Sequence, residues 1–171
     1  MLREVKEDMK MVRENWVKVI LSNRGFHALL AYRVSHLLWK AKVPMLPLII
    51  TRIIQILYGI DIDWRAKIAG GCLIVHGMGV VIGRGVVIGK NAKIFHGVTL
   101  GIRDDGKDND GFPVVGDNVF IGCGAKLLGN IHVGDNAKIG ANAVVIDDVP
   151  PSHTAVGIPA KIIRKQGTEA L

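Results

Sequence analysis

Aliphatic side chains recur at every sixth position over much of this chain. The run IGCGAKLLGNIHVGDNAKIGANAVV, residues 121–145, shows the period most plainly. The same register extends towards the N-terminus, with a two-residue slip near residue 75 and a longer break after residue 100. Its members are Ile62, Ile68, Ile74, Ile82, Ile88, Ile94, Leu100, Val115, Ile121, Leu127, Val133, Ile139 and Val145. Because this period matches neither the 3.6-residue repeat of an amphipathic helix nor the alternation of a plain strand, it indicates a repeat architecture.

A second column of compact apolar side chains lies four residues beyond the first. Its members are Ala66, Cys72, Met78, Val86, Ala92, Val98, Val119, Ala125, Ile131, Ala137, Ala143 and Val149. Each hexad therefore supplies one short strand and one turn, and three hexads close a triangular coil. Coils must stack because none can bury its apolar face alone. The sequence predicts a mainly β fold, a parallel β-helix, whereas the alternative of a β-sandwich requires alternation with a period of two.

The first part of the chain lacks the six-residue period and predicts helices. Residues 1–22 indicate a charged amphipathic helix, and residues 25–41 indicate a second one with an apolar face. The side chains predicted to face a core in the second helix are Phe26, Leu29, Leu30, Val34, Leu37 and Leu38. The N-terminal helical segment as a whole is expected to pack on the end of the β-helix.

Residues 44–60 are strongly apolar and raise the question of a membrane. Arg52 and Gln55 interrupt the run, which is shorter than the roughly 20 residues of a membrane span. We therefore expect a buried helix that plugs the open end of the β-helix, since the first coil would otherwise expose its apolar axis to water. A membrane-associated helix is the alternative.

The predicted domain organisation is simple. Residues 1–60 form the N-terminal helical segment, residues 61–165 the β-helix domain with an extruded loop at 101–114, and residues 166–171 a short tail. A length of 171 residues, 49% of them apolar, suits one domain with a core. Two cysteines without metal-site spacing or a disulfide framework, and a charged N-terminus unlike a secretory signal, favour a reducing cytoplasm.

Two histidines occupy equivalent positions one coil apart. His76 and His96 are each the third residue of their hexads. If the slip at 75–81 is absorbed locally, they stack at about the 4.8 Å spacing of strands. A neutral imidazole can accept the proton of a hydroxyl as its oxygen attacks a carbonyl, although histidines on such a face can also be plain surface residues. Asp61 and Asp63, at the start of the first coil, are candidate carboxylates to hold the tautomer of such a base.

Several motifs resemble the serine acetyltransferase branch of the hexapeptide-repeat acyltransferases. They are GFHALLAYRVSHLLW, GIDI, HGMGVVIG, VTLG, IGCGAKLLGNIHVGDNAKIGANAVV and VGIPAKI, and the resemblance runs from about residue 25 to residue 164. The resemblance implies a left-handed β-helix, acetyl-CoA-dependent O-acetyl transfer, and a homotrimer with active sites between neighbouring subunits. It also implies that His76 is the catalytic base and Asp61 its carboxylate partner.

The acceptor pocket departs from the family pattern. The DIHP motif reads DIDW, which introduces Asp63; the aspartate before the catalytic histidine is Val75; and an Arg-His pair before the loop proline is Gly111 and Phe112. An arginine would form a charge-assisted pair with the carboxylate of serine. Its loss favours a sugar or another hydroxyl acceptor, as in the similar short exopolysaccharide O-acetyltransferases, over L-serine, the family default. The predicted acceptor-binding residues are His96, Asp63 and Phe112.

Acetyl-CoA is expected to lie along the coils as a cosubstrate, with no metal required. The net charge of +7 suits a polyanionic ligand, although lysines on a β-helix surface can be merely solvated. The basic residues of the C-terminal third are Lys126, Lys138, Lys161, Arg164 and Lys165. By resemblance, the contacts of the donor are Thr99, Gly101, Cys123, Lys138 and Ala141. Backbone amides near Gly101 are the expected oxyanion donors.

Two other functional classes stay open. A hexapeptide-repeat zinc carbonic anhydrase would use histidines of adjacent coils as ligands, but His132, the candidate for a third ligand, occupies a different hexad position. A non-catalytic β-helix scaffold would bind no acetyl-CoA. Nucleic-acid binding would rest on charge alone, without an aromatic platform or a groove-reading motif. The acidic loop at 104–110 lacks the spacing of a calcium-binding loop and is expected to be a solvated flap.

Overall fold

The computed structural model describes residues 1–12, 14–104 and 111–163. In this part of the chain, helices precede a long series of short strands. The helices are α1 (Leu2–Met11), α2 (Trp16–Ser22), α3 (Arg24–Lys40) and α4 (Leu46–Tyr58). The strands are β1 (Asp61–Ile62), β2 (Lys67–Ile68), β3 (Leu73–Val75), β4 (Val81–Ile82), β5 (Val87–Ile88), β6 (Lys93–Phe95), β7 (Thr99–Gly101), β8 (Val114–Val115), β9 (Phe120–Ile121), β10 (Lys126–Leu128), β11 (His132–Val133), β12 (Lys138–Ile139), β13 (Val144–Val145), β14 (Thr154–Val156) and β15 (Lys161–Ile163).

The strands form the three faces of a left-handed parallel β-helix. Face 1 contains β1, β4, β7, β10 and β13; face 2 contains β2, β5, β8 and β11; and face 3 contains β3, β6, β9, β12 and β14. From β1 to β13, paired strands are three apart in the chain, so three strands make one coil, and β14 then pairs with β12. The last strand, β15, pairs antiparallel with β14 at the C-terminal end. The mainly β fold expected from the six-residue period is confirmed.

The core is the axis of the prism. Every member of the first aliphatic column is at most 5% exposed. Residues of successive coils stack in register, as Ile82, Leu100 and Leu127 do on face 1. Small side chains of the second column, such as Ala92 and Ala125, fill the narrow corners and are fully buried. Stacking therefore buries the apolar side chains that a single coil would leave exposed.

The slip near residue 75 is a bulged corner between β3 and β4. Register pairs Asp61 with Val81 and Val81 with Thr99, so the first coil takes twenty residues and the second takes eighteen. Met78, predicted to lie in the second column, is 61% exposed, and Val80 is fully buried in its place. That prediction was wrong because the two extra residues lift the middle of the corner away from the axis.

The charged helix predicted for residues 1–22 is two helices. The break falls between α1 and α2, where the Asn15 side chain accepts a hydrogen bond of 2.9 Å from the Val17 N–H. An asparagine in this position satisfies one of the free N–H groups at a helix start, which explains why α2 begins there. The second predicted helix, residues 25–41, corresponds closely to α3.

Helix α3 lies on the first coil with a different face from the one predicted. Leu29 and Tyr32 are 2% exposed, whereas Leu30 and Leu37 are 38% and 48% exposed, so the prediction was wrong for the latter two. The Tyr32 hydroxyl donates to the Ala66 carbonyl at 2.7 Å. Burial raises the pKa of Tyr32 to about 12. Hydrogen bonds between α3 and the backbone of the first coil therefore determine which face of α3 is buried. A hydrophobic pattern in the sequence does not detect such bonds.

A buried ion pair fixes α1 to this assembly. Arg33 Nε donates to Asp8 Oδ2 at 3.1 Å, and the two side chains are 4% and 1% exposed. Asp8 Oδ1 also accepts from the Cys72 N–H at 2.9 Å, while Arg33 donates to the Ala69 carbonyl at 2.7 Å. Burial raises the pKa of Asp8, although the hydrogen bonds and charge of Arg33 oppose the rise. Burial also raises the pKa of the Cys72 thiol to about 12, consistent with an inert core residue.

Helix α4 is not the buried plug predicted for residues 44–60. Only Pro47 is buried within it, whereas Ile56 and Leu57 are 77% and 63% exposed in the single chain. The end of the first coil is closed by α3 and by the fully buried Ile60, and α4 contributes only the half-buried Ile54 and Tyr58 to this packing. In the described part of the chain, no helix has both the length and the apolar character needed to cross a membrane.

Candidate active site

One edge of the prism brings together residues from four successive coils. It consists of the corners between β3 and β4, β6 and β7, β9 and β10, and β12 and β13, and we call it the His76 edge. Each corner contributes one of the predicted site residues, in the order His76, His96, Cys123 and Ala141. With about 4.8 Å between coils, these four corners span roughly 14 Å.

Backbone hydrogen bonds join the corners of the His76 edge. The Gly124 N–H donates to the His96 carbonyl at 2.9 Å, and the Asn142 N–H donates to the Cys123 carbonyl at 2.8 Å. One coil below, the Gly97 N–H donates to the Met78 carbonyl at 2.9 Å. The ladder therefore continues through the turns, and the side chains of the edge are held on a regular backbone.

His76 has an unusual backbone conformation. Its φ is +62°, and that of the next residue, Gly77, is +75°. A residue other than glycine in the left-handed region is uncommon, and such conformations concentrate at functional sites. A Cβ on Gly77 would lie 2.5 Å from Ile60 Cδ1, so the corner needs glycine there. This double left-handed turn is what directs the exposed His76 side chain outward.

The imidazoles of His76 and His96 lie one coil apart, as their hexad positions predict. Their ring centroids are 6.0 Å apart, and the rings meet edge to face with an interplanar angle of 67°. Val75 and Phe95, the residues just before them, are register partners of β3 and β6. The bulge after Val75 is therefore absorbed locally and leaves the two histidines aligned.

A cavity of about 220 Å³ opens beside His76. The remaining lining residues come from the junction of α2 and α3, and they are Ser22, Asn23, Arg24 and Gly25. Gly25 allows this approach, since a Cβ there would collide with the Ile74 carbonyl. A larger cavity of about 530 Å³ lies between α3 and strands β2 and β5, but none of its lining residues belongs to the His76 edge. The smaller cavity, which is lined by His76 of the His76 edge, is the candidate reaction site.

Asp61 comes to the same edge from the other end of the first coil. It is the first residue of face 1, immediately after the position of this edge, and its N–H donates to the Val80 carbonyl at 2.9 Å. The side chain is half-buried, and its Oδ2 accepts a hydrogen bond of 3.0 Å from Gln55 Nε2. One turn around the axis thus returns the chain from Asp61 to His76.

Asp63 lies at the next edge, between faces 1 and 2. Its carboxylate accepts from Arg65 Nε at 2.9 Å and from Arg65 Nη2 at 2.7 Å. Burial alone would raise the pKa of Asp63, but the hydrogen bonds and charge of Arg65, with a contribution from Arg84, hold it below its ordinary value. The side chain is thus an ionised partner of Arg65.

Phe112 also packs at that next edge. Its ring occupies the space that a Cβ on Gly83 or Gly85 would need, and Arg84 Cζ lies 6.0 Å from the ring centroid. Within one chain, neither Phe112 nor Asp63 reaches the His76 edge, whereas His96 does. The single chain therefore unites only part of the acceptor-binding set predicted from the sequence.

Thr99 and Gly101 begin and end β7, the strand that follows the His96 corner. Lys126 Nζ, on the next coil, donates to Thr99 Oγ1 at 3.1 Å and to the Gly97 carbonyl at 2.6 Å. Nothing lies within 4 Å of the position a Gly101 Cβ would occupy, so the outer face of the strand is open there. Lys126 thus links β10 to β7 beside the open surface at Gly101.

The remaining predicted donor contacts lie on the last coils. Cys123 is half-buried and Ala141 is exposed, one coil apart along the His76 edge. Lys138 is exposed on β12 of face 3, three residues before Ala141. Of the basic residues, Arg164 and Lys165 lie outside the described residues.

A third candidate metal ligand does not join the two histidines. His132 lies on β11 of face 2, away from the His76 edge. Within residues 1–12, 14–104 and 111–163, no group of three or more His, Cys, Asp or Glu side chains converges in a way that could hold a metal ion.

Some residues of the site escaped the sequence analysis. Three contacts were not predicted. Gln55 donates to Asp61, residues 22–25 line the cavity beside His76, and Lys126 donates to Thr99. Gln55 carried a signal, because it is a polar residue within an apolar helix. The helix junction carried none that the sequence alone could reveal.

Sequence comparison finds a transferase family and relatives that are serine acetyltransferases. The family described as "Bacterial transferase hexapeptide (six repeats)" matches residues 112–147. A serine acetyltransferase of Helicobacter pylori is 44% identical over 164 residues, which cover 96% of this chain and 95% of that protein. A serine acetyltransferase of Buchnera aphidicola is 43% identical over 154 residues, covering 90% of this chain, and the chain spans 59% of that relative.

Solved structures give the same result. A soybean serine acetyltransferase in complex with serine has a TM-score of 0.88 and 41% identity, with 94% of this chain and 68% of that chain covered. A serine acetyltransferase in complex with CoA has a TM-score of 0.87 and 40% identity, with 95% of this chain and 69% of that chain covered. These relatives give no support to the carbonic anhydrase and scaffold alternatives or to a sugar acceptor.

Proposed function

Because the chain belongs to the serine acetyltransferase family and is an acetyl-CoA-dependent acyltransferase, we propose that its acceptor is the hydroxyl of L-serine. The proposal rests on the position of His76, whose imidazole lines the cavity at the helix junction, and on the start of β1 at Asp61, which pairs with Val81 just after the His76 corner. Relatives of similar fold have been solved with serine and with CoA, which supports both substrates.

His76 is the general base in the proposed reaction. Its imidazole takes the proton of the serine hydroxyl while the oxygen forms a bond to the thioester carbonyl carbon. The carbon–sulfur bond then breaks, and the proton passes from the imidazolium to the departing CoA sulfur. Asp61 orients the imidazole and stabilises its positive charge, which is the usual role of a carboxylate beside a histidine base. Backbone amides near Gly101 receive the charge on the carbonyl oxygen.

Acetyl-CoA is proposed to lie along the His76 edge. The small residues Cys123 and Ala141 and the open face beside Gly101 leave room for a pantetheine arm, and the rise of the four corners, roughly 14 Å, gives it length. Lys138, exposed on β12 three residues before Ala141, is proposed to attract the CoA phosphates. Lys126, in contrast, donates a hydrogen bond to Thr99 and is proposed to stabilise β7 beside the pantetheine arm.

A homotrimer completes the proposed site. Asp63 and Phe112 lie one edge away from His76 in a single chain, so they can bind the acceptor only if a neighbouring subunit presents them. His96, on the same edge as His76, contacts the acceptor from the same chain. The protein is expected to work in a reducing cytoplasm without a nucleic-acid partner. Light scattering that reports a monomer at assay concentration would contradict the shared site.

The acceptor is testable directly. Release of the CoA thiol is measured with acetyl-CoA and either L-serine or a panel of sugars, in the wild type and in His76→Ala. We expect turnover with L-serine in the wild type and a kcat lower by about 10²- to 10⁴-fold in the variant. Turnover with a sugar and not with L-serine would overturn the acceptor proposal, and full activity of His76→Ala would overturn the mechanism.

A further inference from the structure

One charged and one amide side chain interrupt the largely apolar sequence of α4. Arg52 and Gln55 lie three positions apart, so they share one face of the helix. Nearly every other residue from Leu46 to Leu57 is apolar, and the side chains of Ile53 and Ile56 are 49% and 77% exposed. Gln55 is half-buried and contacts Asp61 of the first coil, whereas Arg52 is exposed and contacts Gln55.

The pair forms a hydrogen-bond chain that ends on Asp61. Arg52 Nη1 donates to Gln55 Oε1, and Gln55 Nε2 donates to Asp61 Oδ2 at 3.0 Å. Since Arg52 has only donors, the oxygen of the Gln55 amide must face it, and the NH₂ group must then face the carboxylate. The orientation of the amide is therefore set from both sides.

The end of α4 explains how a residue six positions earlier reaches Asp61. Gly59 adopts φ +64° at the C-terminus of the helix and reverses the chain direction. Ile60 is then buried in the first coil, and Asp61 begins β1. Gln55 and Asp61 are both half-buried, so their contact is partly shielded from water.

We propose that Gln55 is a positioning residue for the reaction, which holds one oxygen of the Asp61 carboxylate so that the other is directed to the His76 edge. A hydrogen bond to a carboxylate is stronger than one between neutral groups. With Oδ2 held, rotation of the carboxylate is restricted, and Oδ1 is left for the imidazole. This inference rests on the proposed function of Asp61 and His76 and adds a residue of α4 to it.

The test compares three substitutions at Gln55. Gln55→Met keeps the length and removes the donor, Gln55→Glu places a second carboxylate beside Asp61, and Gln55→Lys restores a donor. We expect Gln55→Met to lower kcat about tenfold with the KM for acetyl-CoA unchanged, the size of effect that loss of one hydrogen bond to a charged group produces. Gln55→Glu should lower kcat further, and Gln55→Lys should recover most of it. Ile56→Ala, at an exposed position of the same helix, is the matched control and should keep wild-type kcat.

A double-mutant cycle with Asp61→Asn separates this inference from the proposed function. If Gln55 acts through Asp61, Gln55→Met lowers kcat in the wild type and changes nothing in Asp61→Asn. A wild-type kcat in Gln55→Met, or an equal loss in both backgrounds, would overturn the role of Gln55 while leaving Asp61 and His76 intact. Full activity of Asp61→Asn would instead overturn the proposed pair. Circular dichroism and thermal melting of every variant exclude loss of the fold as the cause.

Discussion

The imidazole of His96 meets that of His76 edge to face, with ring centroids 6.0 Å apart on adjacent coils. Both side chains lie on the His76 edge of the prism, but their surroundings differ, because only His76 lines the cavity at the helix junction. The proposed roles differ accordingly: proton transfer for His76 and a contact with the acceptor for His96.

Substitution of the two histidines should therefore have different kinetic effects. His76→Ala removes the general base and should lower kcat by about 10²- to 10⁴-fold. His96→Ala should raise the KM for the acceptor with a smaller loss of kcat, since it removes a binding contact and leaves the base in place. Steady-state kinetics with varied acceptor distinguish the two, and equal effects on kcat in both variants would contradict the assignment.

The proposed position of acetyl-CoA along the His76 edge can be tested at Ala141. This exposed residue lies on the His76 edge, so Ala141→Leu should raise the KM for acetyl-CoA without lowering the melting temperature. Asp147→Leu, exposed at a different corner, adds a similar side chain away from the His76 edge and should leave that KM unchanged. If both variants bind acetyl-CoA as the wild type does in calorimetry, the donor does not run along this edge.

The corner after His76 should not tolerate a larger residue than glycine. Gly77→Ala combines a positive φ with a contact of 2.5 Å between the new Cβ and Ile60 Cδ1, so we expect it to be destabilised by about 1–3 kcal/mol. Gly101→Ala meets nothing within 4 Å and should keep the stability of the wild type. Urea denaturation measures both, and equal stabilities would contradict the strained corner.

The buried pair of Asp8 and Arg33 should be sensitive to loss of either partner. Asp8→Ala leaves the guanidinium buried without its carboxylate, and removal of one partner of such a pair costs about 3–5 kcal/mol. The Arg3→Ala variant, which removes an exposed ion pair with Glu7, is the control and should change the free energy of unfolding little. A loss of stability in Asp8→Ala no larger than in the control would show that α1 is not anchored by this pair.

Asp63 should make stability depend on acid pH. Arg65 keeps the folded pKa of Asp63 below its ordinary value of about 3.9, so its stabilising contribution is complete above that pH and is lost as pH falls through the folded pKa. Asp63→Asn should therefore show a shallower fall in the free energy of unfolding between pH 4 and pH 3. The same slope in the variant and the wild type would contradict a depressed pKa.

The parts of this structure that were predictable from sequence are those in which position along the chain determines position in space. A residue six places further along lies on the next face, and one eighteen places further along lies on the next coil of the same face. The burial of both columns and the alignment of His76 with His96 follow from this rule. The rule fails locally at the corner that carries two extra residues, where Val80 replaces Met78.

The helices follow no comparable rule. An apolar pattern gave the existence of α3 and α4, but polar contacts with the first coil decide their rotation and their exposure. Tyr32 and Arg33 turn inward because carbonyl groups of the coil need donors, and Leu30 and Leu37 turn outward as a result. Gln55 reaches Asp61 through a reversal of the chain at Gly59, which no periodicity specifies.

The bulge at His76 and the extension between β7 and β8 each change a single corner, and the ladders on either side resume their register. In a β-helix of this kind, the length and sequence of one turn can therefore change without altering the others. Selection can therefore alter the residues of one corner while the other corners stay as they were. Descendants of a single ancestor could in this way acquire new substrates without rebuilding their chemistry.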